Sequence, residues 1–163
     1  MAQVKNELDM PPVSQVAEVE LIYRNKMKAS ERPFVRTSTD AYNLLLKSWD
    51  MNKIELQEQF RVMLLDRKNS CLGISTVATG GITSCVVDLK LVFAMALKSR
   101  ATNIIIAHNH PSGNMIPSEA DKTLTARFAE AGKLLELPVL DHLIVTKEGY
   151  TSFIDEGLLR NTR

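Results

Sequence analysis

A short, uninterrupted apolar run, NIIIA at residues 103–107, constrains the fold of this chain more than any other feature. A run without polar alternation is typical of a strand that is buried on both faces of a sheet. An amphipathic helix is predicted soon after it, because apolar side chains recur at helical spacing at Ala120, Leu124, Phe128, Ala131 and Leu135. A second strand is predicted at residues 138–146 (PVLDHLIVT).

Further strands and helices alternate along the rest of the chain. Strands are predicted at residues 60–65, 71–78 and 150–153, with a turn at residues 79–81. Residues 86–99 are apolar almost all round, which predicts a helix buried on most of its surface. The expected fold class is therefore α/β (α+β), with helices around a mixed sheet. In such sheets, sites gather beyond the carboxyl ends of central strands, and residues 108–121 follow such an end.

The first third of the chain has a different character. We expect residues 1–51 to form an N-terminal extension, with a strand at residues 17–23 and a helix capped by Ser38, Thr39 or Asp40. Residues 52–163 are predicted to form the main domain. This half-buried strand at residues 17–23 could extend a sheet edge, so a homodimer is one expectation for this chain.

Composition narrows the classes of function. Twenty basic and nineteen acidic side chains give a net charge of +1, without the basic excess typical of nucleic-acid binders. The locally basic residues 24–36 are interpreted as a solvated connector rather than a binding strip. No apolar run is long enough to span a membrane, and the N-terminus resembles no signal peptide. With Cys71 and Cys85 as its two cysteines, the chain is expected in the reducing cytoplasm, with no membrane partner.

The chemistry is concentrated in the text HNHPSGNMIPSEAD at residues 108–121. His108 and His110 are two positions apart at a strand end, so both side chains leave the same face and could clamp zinc. Asp121 would supply a third ligand and leave a fourth position open, which is typical of catalytic zinc. The simpler interpretation is a helix cap, with Ser118 at the N-cap and Asp121 three residues later. Both interpretations are compatible.

Three other families are excluded by spacing. The letters HNH at residues 108–110 are consecutive, whereas HNH nucleases spread those residues over a much longer unit. Zinc deaminases need H-x-E followed by P-C-x-x-C, and His110 stands where that glutamate would be. The helical motif H-E-x-x-H is also absent from the sequence.

The motif itself resembles that of the JAMM (MPN+ or JAB) metalloproteases, and HNHPSG…PS..D followed by LDHLIV resembles the RadC branch of that family. The resemblance covers residues 54–159. It implies a JAB/MPN fold related to that of the cytidine deaminases. It also implies one zinc ion per chain, held by His108, His110, Asp121 and a water molecule.

The resemblance implies further roles. A glutamate before a hydrophobic strand acts as general base and acid in JAMM enzymes, and Glu58 fits that position, with Glu55 as its competitor. Ser118 would donate a hydrogen bond to the oxyanion formed during hydrolysis of a peptide or isopeptide bond. For His142 in the family's LDHL text we favour structural anchoring over a contact behind the ligands or with substrate.

Three functions are weighed: a zinc-dependent peptidase or isopeptidase acting on a peptide or protein, a RadC-like protein of DNA repair, recombination or mobile elements, and a binding module without cleavage. Longer RadC-type proteins carry a helix-hairpin-helix module, which residues 1–50 do not resemble. That difference and the near-zero net charge weaken the expectation of DNA contact. Glu58 and Ser118 beside an intact ligand set weaken the binding module.

Overall fold

A computed structural model of the chain describes residues 27–160. Within this range the chain forms a five-stranded sheet with three α-helices. The strands are β1 (Gln59–Leu65), β2 (Cys71–Thr79), β3 (Asn103–Asn109), β4 (Val139–Val145) and β5 (Tyr150–Ser152). The helices are α1 (Ser38–Ser48), α2 (Leu89–Lys98) and α3 (Glu119–Leu134). The predicted fold class, helices around a mixed sheet, is confirmed.

The sheet has the strand order β2-β1-β3-β4-β5. β3 pairs antiparallel with β1 and parallel with β4, and helix α3 makes the crossover that parallel pairing requires. β2 and β5 pair antiparallel with their neighbours and form the two edges. The apolar run therefore lies in the central strand, as predicted.

Both faces of the sheet are covered. Helices α2 and α3 pack on one face, where Phe60, Ile106 and Phe128 belong to one apolar cluster. Helix α1 packs on the other face, where Leu45 and Ile105 belong to a second cluster. Alternation along β3 continues this division, so that His108 follows Ile106 on the α2/α3 face and Asn109 lies on the α1 side.

Helix α2 differs from its prediction. It begins at Leu89, where the Asp88 carboxylate accepts a hydrogen bond from the backbone N–H of Lys90. Val86, before the helix, is 92% exposed, and Leu97 within it is 56% exposed. The prediction of a helix buried on most of its surface was wrong, because α2 meets the sheet with one face and lies open on the other.

The structure also differs from two smaller predictions. The N-cap of α1 is Thr37, whose Oγ1 accepts from the backbone N–H of Asp40, rather than one of the three residues that follow Thr37. In α3 the predicted apolar face is too long, since Ala120 and Leu135 at its ends are exposed beyond the edge of the contact.

Helix α1 and Trp49 after it pack onto the rest of the described chain, because Ala41, Leu45 and Trp49 are buried in the α1-side cluster. The domain division after residue 51 stays a prediction. The strand at residues 17–23, with the dimer inferred from it, lies outside the described residues. Within residues 27–160, no helix combines the length and apolar character needed to cross a membrane.

Candidate metal centre

Three predicted ligands meet where the end of β3 faces the start of α3. His108 Nε2 lies 3.0 Å from His110 Nε2 and 3.2 Å from Asp121 Oδ1. His110 Nε2 lies 3.7 Å from Asp121 Oδ2. One ligand atom from each residue can be chosen so that all lie within 4.8 Å of one another. The structure therefore brings together the set that spacing in the sequence suggested.

The loop after β3 orients His110. Its Nδ1 lies 2.6 Å from the backbone oxygen of Asn114, which can only accept, so Nδ1 carries the hydrogen. Gly113 makes this turn with a φ of 77°, and its N–H donates to the His110 carbonyl. Nε2 faces the cluster; it has a lone pair when His110 is neutral and carries the second hydrogen when His110 is protonated.

Asp121 is held by the helix cap. Its Oδ2 accepts hydrogen bonds from the backbone N–H of Ser118 at 2.8 Å and from the Ser118 hydroxyl at 2.7 Å. In return, Ser118 Oγ accepts from the backbone N–H of Asp121 at 3.1 Å. The capping box is therefore present, and it fixes the carboxylate beside the two imidazoles.

The electrostatics favour a cation here. Burial acts to raise the pKa of Asp121, but the adjacent imidazoles of His108 and His110 and the hydrogen bonds from Ser118 outweigh it and hold that pKa below its usual range. The nearby Asp121 carboxylate raises the pKa of His110 against the effect of burial. The negative charge that favours a proton on His110 also favours a metal cation bound in place of that proton.

The residues fit a divalent metal. Ligand atoms bound tetrahedrally at about 2.0–2.1 Å lie about 3.3 Å apart, close to the 3.0, 3.2 and 3.7 Å between these nitrogens and oxygens. Two imidazoles and one carboxylate are a donor set that zinc accepts, with a fourth position left for solvent or substrate. The geometry and the donors agree with a metal site of the open type.

Glu58, the residue before β1, lines the same cavity. Its backbone N–H donates to Gly81 and its carbonyl accepts from Gly80, both at 2.8 Å, so the turn after β2 holds its main chain. Burial raises the pKa of Glu58, although the imidazoles of His108 and His110 act to lower it. A carboxylate with a raised pKa is suited to exchanging protons near neutral pH.

Glu55, the competing base, differs in its surroundings. It also lines the cavity, but its side chain is exposed and forms an ion pair with Lys147 at 3.3 Å. Glu58 is half-buried and interacts electrostatically with all three ligands. The surroundings favour Glu58, and the assignment stays a prediction.

The cavity has a volume of about 580 Å³. Acidic and apolar side chains share its wall, and among the described residues that line it there is no lysine or arginine. The acidic members are Glu55, Glu58 and Asp121, and the apolar members include Phe60, Ile82, Ile116 and Leu124.

Asn109 has a role that sequence reasoning missed. It is completely buried, and its Nδ2 donates to the carbonyls of Ile54 at 2.6 Å and Gln57 at 2.9 Å. Its Oδ1 accepts from the backbone N–H of Gln59 at 2.7 Å. Asn109 therefore holds the main chain on both sides of Glu58. Its place between two ligands on the opposite side of a strand was the signal available.

His142 lies behind His108 in the central part of the sheet. It is completely buried, and its ring stacks on Phe153 with centroids 4.7 Å apart. Its Nε2 lies 2.8 Å from His108 Nδ1, and its Nδ1 lies 2.6 Å from Thr125 Oγ1. Burial holds the pKa of His142 well below its usual range. The ring contacts agree with anchoring, and the polar contacts add a link to a ligand.

Comparison with known proteins gives a family match. The model of the RadC-like JAB domain matches residues 35–158, which include every site residue described above. The matched range begins before α1 and therefore includes part of the predicted extension.

Several relatives carry the name UPF0758 protein. The one from Flavobacterium johnsoniae is 44% identical over 101 residues, which are 62% of this chain and 44% of the relative. The one from Desulforamulus reducens is 34% identical over 160 residues, 98% of this chain and 69% of the relative. A third, from Roseiflexus castenholzii, is 36% identical over 143 residues, covering 87% of this chain and 60% of the relative. The chain spans less than half the length of the first of these relatives.

Proposed function

This chain belongs to the family of RadC-like JAB domain proteins, and on that premise we propose that it is a zinc-dependent hydrolase of peptide or isopeptide bonds. The convergence of His108, His110 and Asp121 with Glu58 in one cavity is the observation that carries the proposal. We assign this activity to the cytosol, where Cys71 and Cys85, both free thiols, remain reduced.

His108, His110 and Asp121 would hold one zinc ion. When bound, zinc supplies Lewis acidity, which polarises a carbonyl group and makes water easier to ionise. Among the protein's own residues, Glu58 acts as the general base and acid. It accepts a proton from the attacking water and delivers it to the leaving nitrogen. Burial of Glu58 favours this exchange, because it raises the pKa toward the range where both protonation states are accessible.

Ser118 is proposed to donate a hydrogen bond to the oxyanion of the tetrahedral intermediate. Its hydroxyl now donates to Asp121 Oδ2, so it has to rotate toward the cavity to do so. The Ser118 N–H, 2.8 Å from the same oxygen, keeps the carboxylate in place during this rotation. Removing one oxyanion donor typically lowers the rate by about 10²–10³.

The wall of the cavity favours a peptide over a nucleic acid. A phosphodiester backbone is normally bound by lysine and arginine, and the described residues that line the cavity include neither. Glu55, Glu58 and Asp121 would repel phosphates instead. Ile82 and Ile116 lie exposed on the wall and can contact apolar side chains of a peptide. The alternative of a DNA substrate therefore receives no support from the cavity.

The first test measures metal. Protein purified without chelators is expected to contain about one zinc ion per chain by elemental analysis, while His108→Ala and Asp121→Ala are expected to contain much less. A wild-type protein that contains no metal and takes up none from added zinc would contradict the proposal.

The second test separates the two glutamates. In a library of internally quenched peptides and isopeptides, Glu58→Gln is expected to lower hydrolysis by about 10²–10⁴ while zinc content stays at the wild-type level, because a ligand is not touched. Glu55→Gln is the matched control and should retain most of the activity. If Glu55→Gln abolishes hydrolysis and Glu58→Gln does not, the base is wrongly assigned.

A further inference from the structure

A chain of hydrogen bonds runs from the ligand His108 through the interior and back to the helix that carries Asp121. His108 Nδ1 lies 2.8 Å from His142 Nε2, and His142 Nδ1 lies 2.6 Å from Thr125 Oγ1. The Thr125 hydroxyl then donates to the backbone carbonyl of Asp121 at 2.6 Å. His142 and Thr125 are both buried, so solvent does not compete for these atoms.

The last contact gives the chain a direction. A carbonyl oxygen cannot donate, so the single hydroxyl hydrogen of Thr125 lies on the side of Asp121. Thr125 Oγ1 must then accept from His142, which places a hydrogen on His142 Nδ1. His142 is completely buried, and its ring nitrogens face a hydroxyl and another imidazole, so the ring is neutral. Its single ring hydrogen is therefore the one on Nδ1. His142 Nε2 is left as an acceptor.

The same assignment of hydrogens determines the tautomer of His108. Since His142 Nε2 accepts, the hydrogen between the two rings belongs to His108 Nδ1, and the lone pair of His108 is on Nε2. That atom is the one that faces His110 and Asp121, at 3.0 and 3.2 Å. With the hydrogen of Thr125 reversed, each hydrogen would shift by one step and His108 Nε2 would point an N–H into the site.

We propose that Thr125 and His142 are positioning residues, which set the tautomer of His108 so that Nε2 is ready to bind metal before metal arrives. This inference rests on the proposed role of His108 as a ligand. It also explains why two ligands from different elements act together: the link connects β3, β4 and α3, and it ends on the main chain of Asp121. Partners behind ligating histidines usually fix ring orientation in this way.

Thr125 supplies the sharpest test, because one variant keeps the shape of the threonine side chain and the other keeps its hydroxyl. Thr125→Val removes it, whereas Thr125→Ser retains it. His142→Phe keeps an aromatic ring against Phe153 and removes both nitrogens. Urea unfolding with a chelator present identifies any variant that is not folded, and the serine and valine pair keeps the test valid if His142→Phe is unstable.

Two measurements are made on each protein. Nitrogen NMR of the metal-free state reports which ring nitrogen of His108 carries hydrogen, and we expect Nδ1 in the wild type and Thr125→Ser but a mixture in Thr125→Val and His142→Phe. Zinc affinity, measured by competition with a chelator, is expected to fall about 10–100-fold in His142→Phe and about tenfold in Thr125→Val. Thr125→Ser should stay within about threefold of wild type.

The outcomes distinguish this inference from the proposed function. A wild type with hydrogen on His108 Nε2, or a folded Thr125→Val with the tautomer and zinc affinity of Thr125→Ser, would overturn the positioning role. A wild type that has the expected tautomer but binds no zinc would leave the tautomer assignment standing and contradict the zinc hydrolase.

Discussion

Asn109 and His108 are neighbours in β3, yet they serve opposite sides of the sheet. His108 faces the ligand cluster, while the amide of Asn109 bonds to the main chain around Glu58. One strand end therefore carries two of the candidate metal ligands and also holds the segment of the proposed base. At the scale of single residues, Asn109 holds the main chain beside the proposed base without belonging to the candidate metal site.

We expect Asn109→Ala to lower the free energy of unfolding by about 2–4 kcal/mol, because the carbonyls of Ile54 and Gln57 and the N–H of Gln59 lose their buried partner. Urea unfolding monitored by circular dichroism measures this change. Asn43→Ala, at an exposed position of α1, is the control and should change stability by less than about 0.5 kcal/mol. Equal effects of the two substitutions would show that the Asn109 hydrogen bonds do not support the fold.

The candidate metal ligands could be predicted from the sequence, whereas the residues that support them could not. His108, His110 and Asp121 lie within fourteen positions, where the geometry of a strand and a capped helix fixes which side chains can meet. Asn109 and its partner Ile54 are 55 positions apart, and Thr125 meets His142 from another element. Local periods do not determine such contacts, so these two roles became visible only with the tertiary structure.

At the scale of elements, the two ends of helix α3 have different roles. The first two turns carry Asp121 and Thr125, which belong to the site and to the link behind it. The last turn closes against β4 at Gly132, whose carbonyl accepts from the backbone N–H of Leu137 at 2.8 Å. Periodicity predicted this helix, but it could not show where the sheet contact ends, as with the open face of α2.

Gly132→Ala is expected to lower the free energy of unfolding by about 1–3 kcal/mol. An added Cβ would lie 2.6 Å from the carbonyl oxygen of Leu137, a main-chain atom that cannot move without displacing the start of β4. Alanine favours helix over glycine by about 1 kcal/mol, so a net loss has to come from the clash. Thermal and urea unfolding measure it.

Gly73→Ala in β2 is the matched control for that experiment, because an added Cβ there meets no atom within 4 Å. We expect it to change stability by less than about 0.5 kcal/mol. A stabilised Gly132→Ala would mean that the turn between α3 and β4 adjusts freely, and that the close approach at Gly132 is not a constraint.

At the scale of the whole molecule, Asp141 ties the central β3–β4 pair to the last part of the described chain. Its Oδ1 accepts from the backbone N–H groups of His142 at 2.7 Å and Ile154 at 3.1 Å, and its Oδ2 accepts from the Ser152 hydroxyl at 2.6 Å. Burial raises the pKa of Asp141, although these three hydrogen bonds act to lower it. Folding thus favours the protonated form of this carboxyl.

The sign of the pH dependence follows from that shift. The stability that protonation of Asp141 contributes is fully present below the unfolded pKa of about 3.9, and it is lost as pH rises through the raised pKa of the folded state. Asp141→Asn is neutral at every pH. Its Oδ1 can keep both bonds from backbone N–H groups, and its Nδ2 can donate to the Ser152 hydroxyl in place of the bond that this hydroxyl now donates. Relative to wild type, we expect the variant to gain stability from pH 3 upward, by about 1.4 kcal/mol for each unit of pKa shift, until the difference becomes constant.

Urea unfolding of both proteins between pH 3 and 8, with a chelator present so that metal occupancy does not change, measures this difference. Glu148→Gln, at an exposed turn position, serves as the control for removal of a negative charge. If Asp141→Asn loses stability relative to wild type as pH rises, the three hydrogen bonds outweigh burial, and the join between β4 and the β5 segment is strongest with a charged carboxylate.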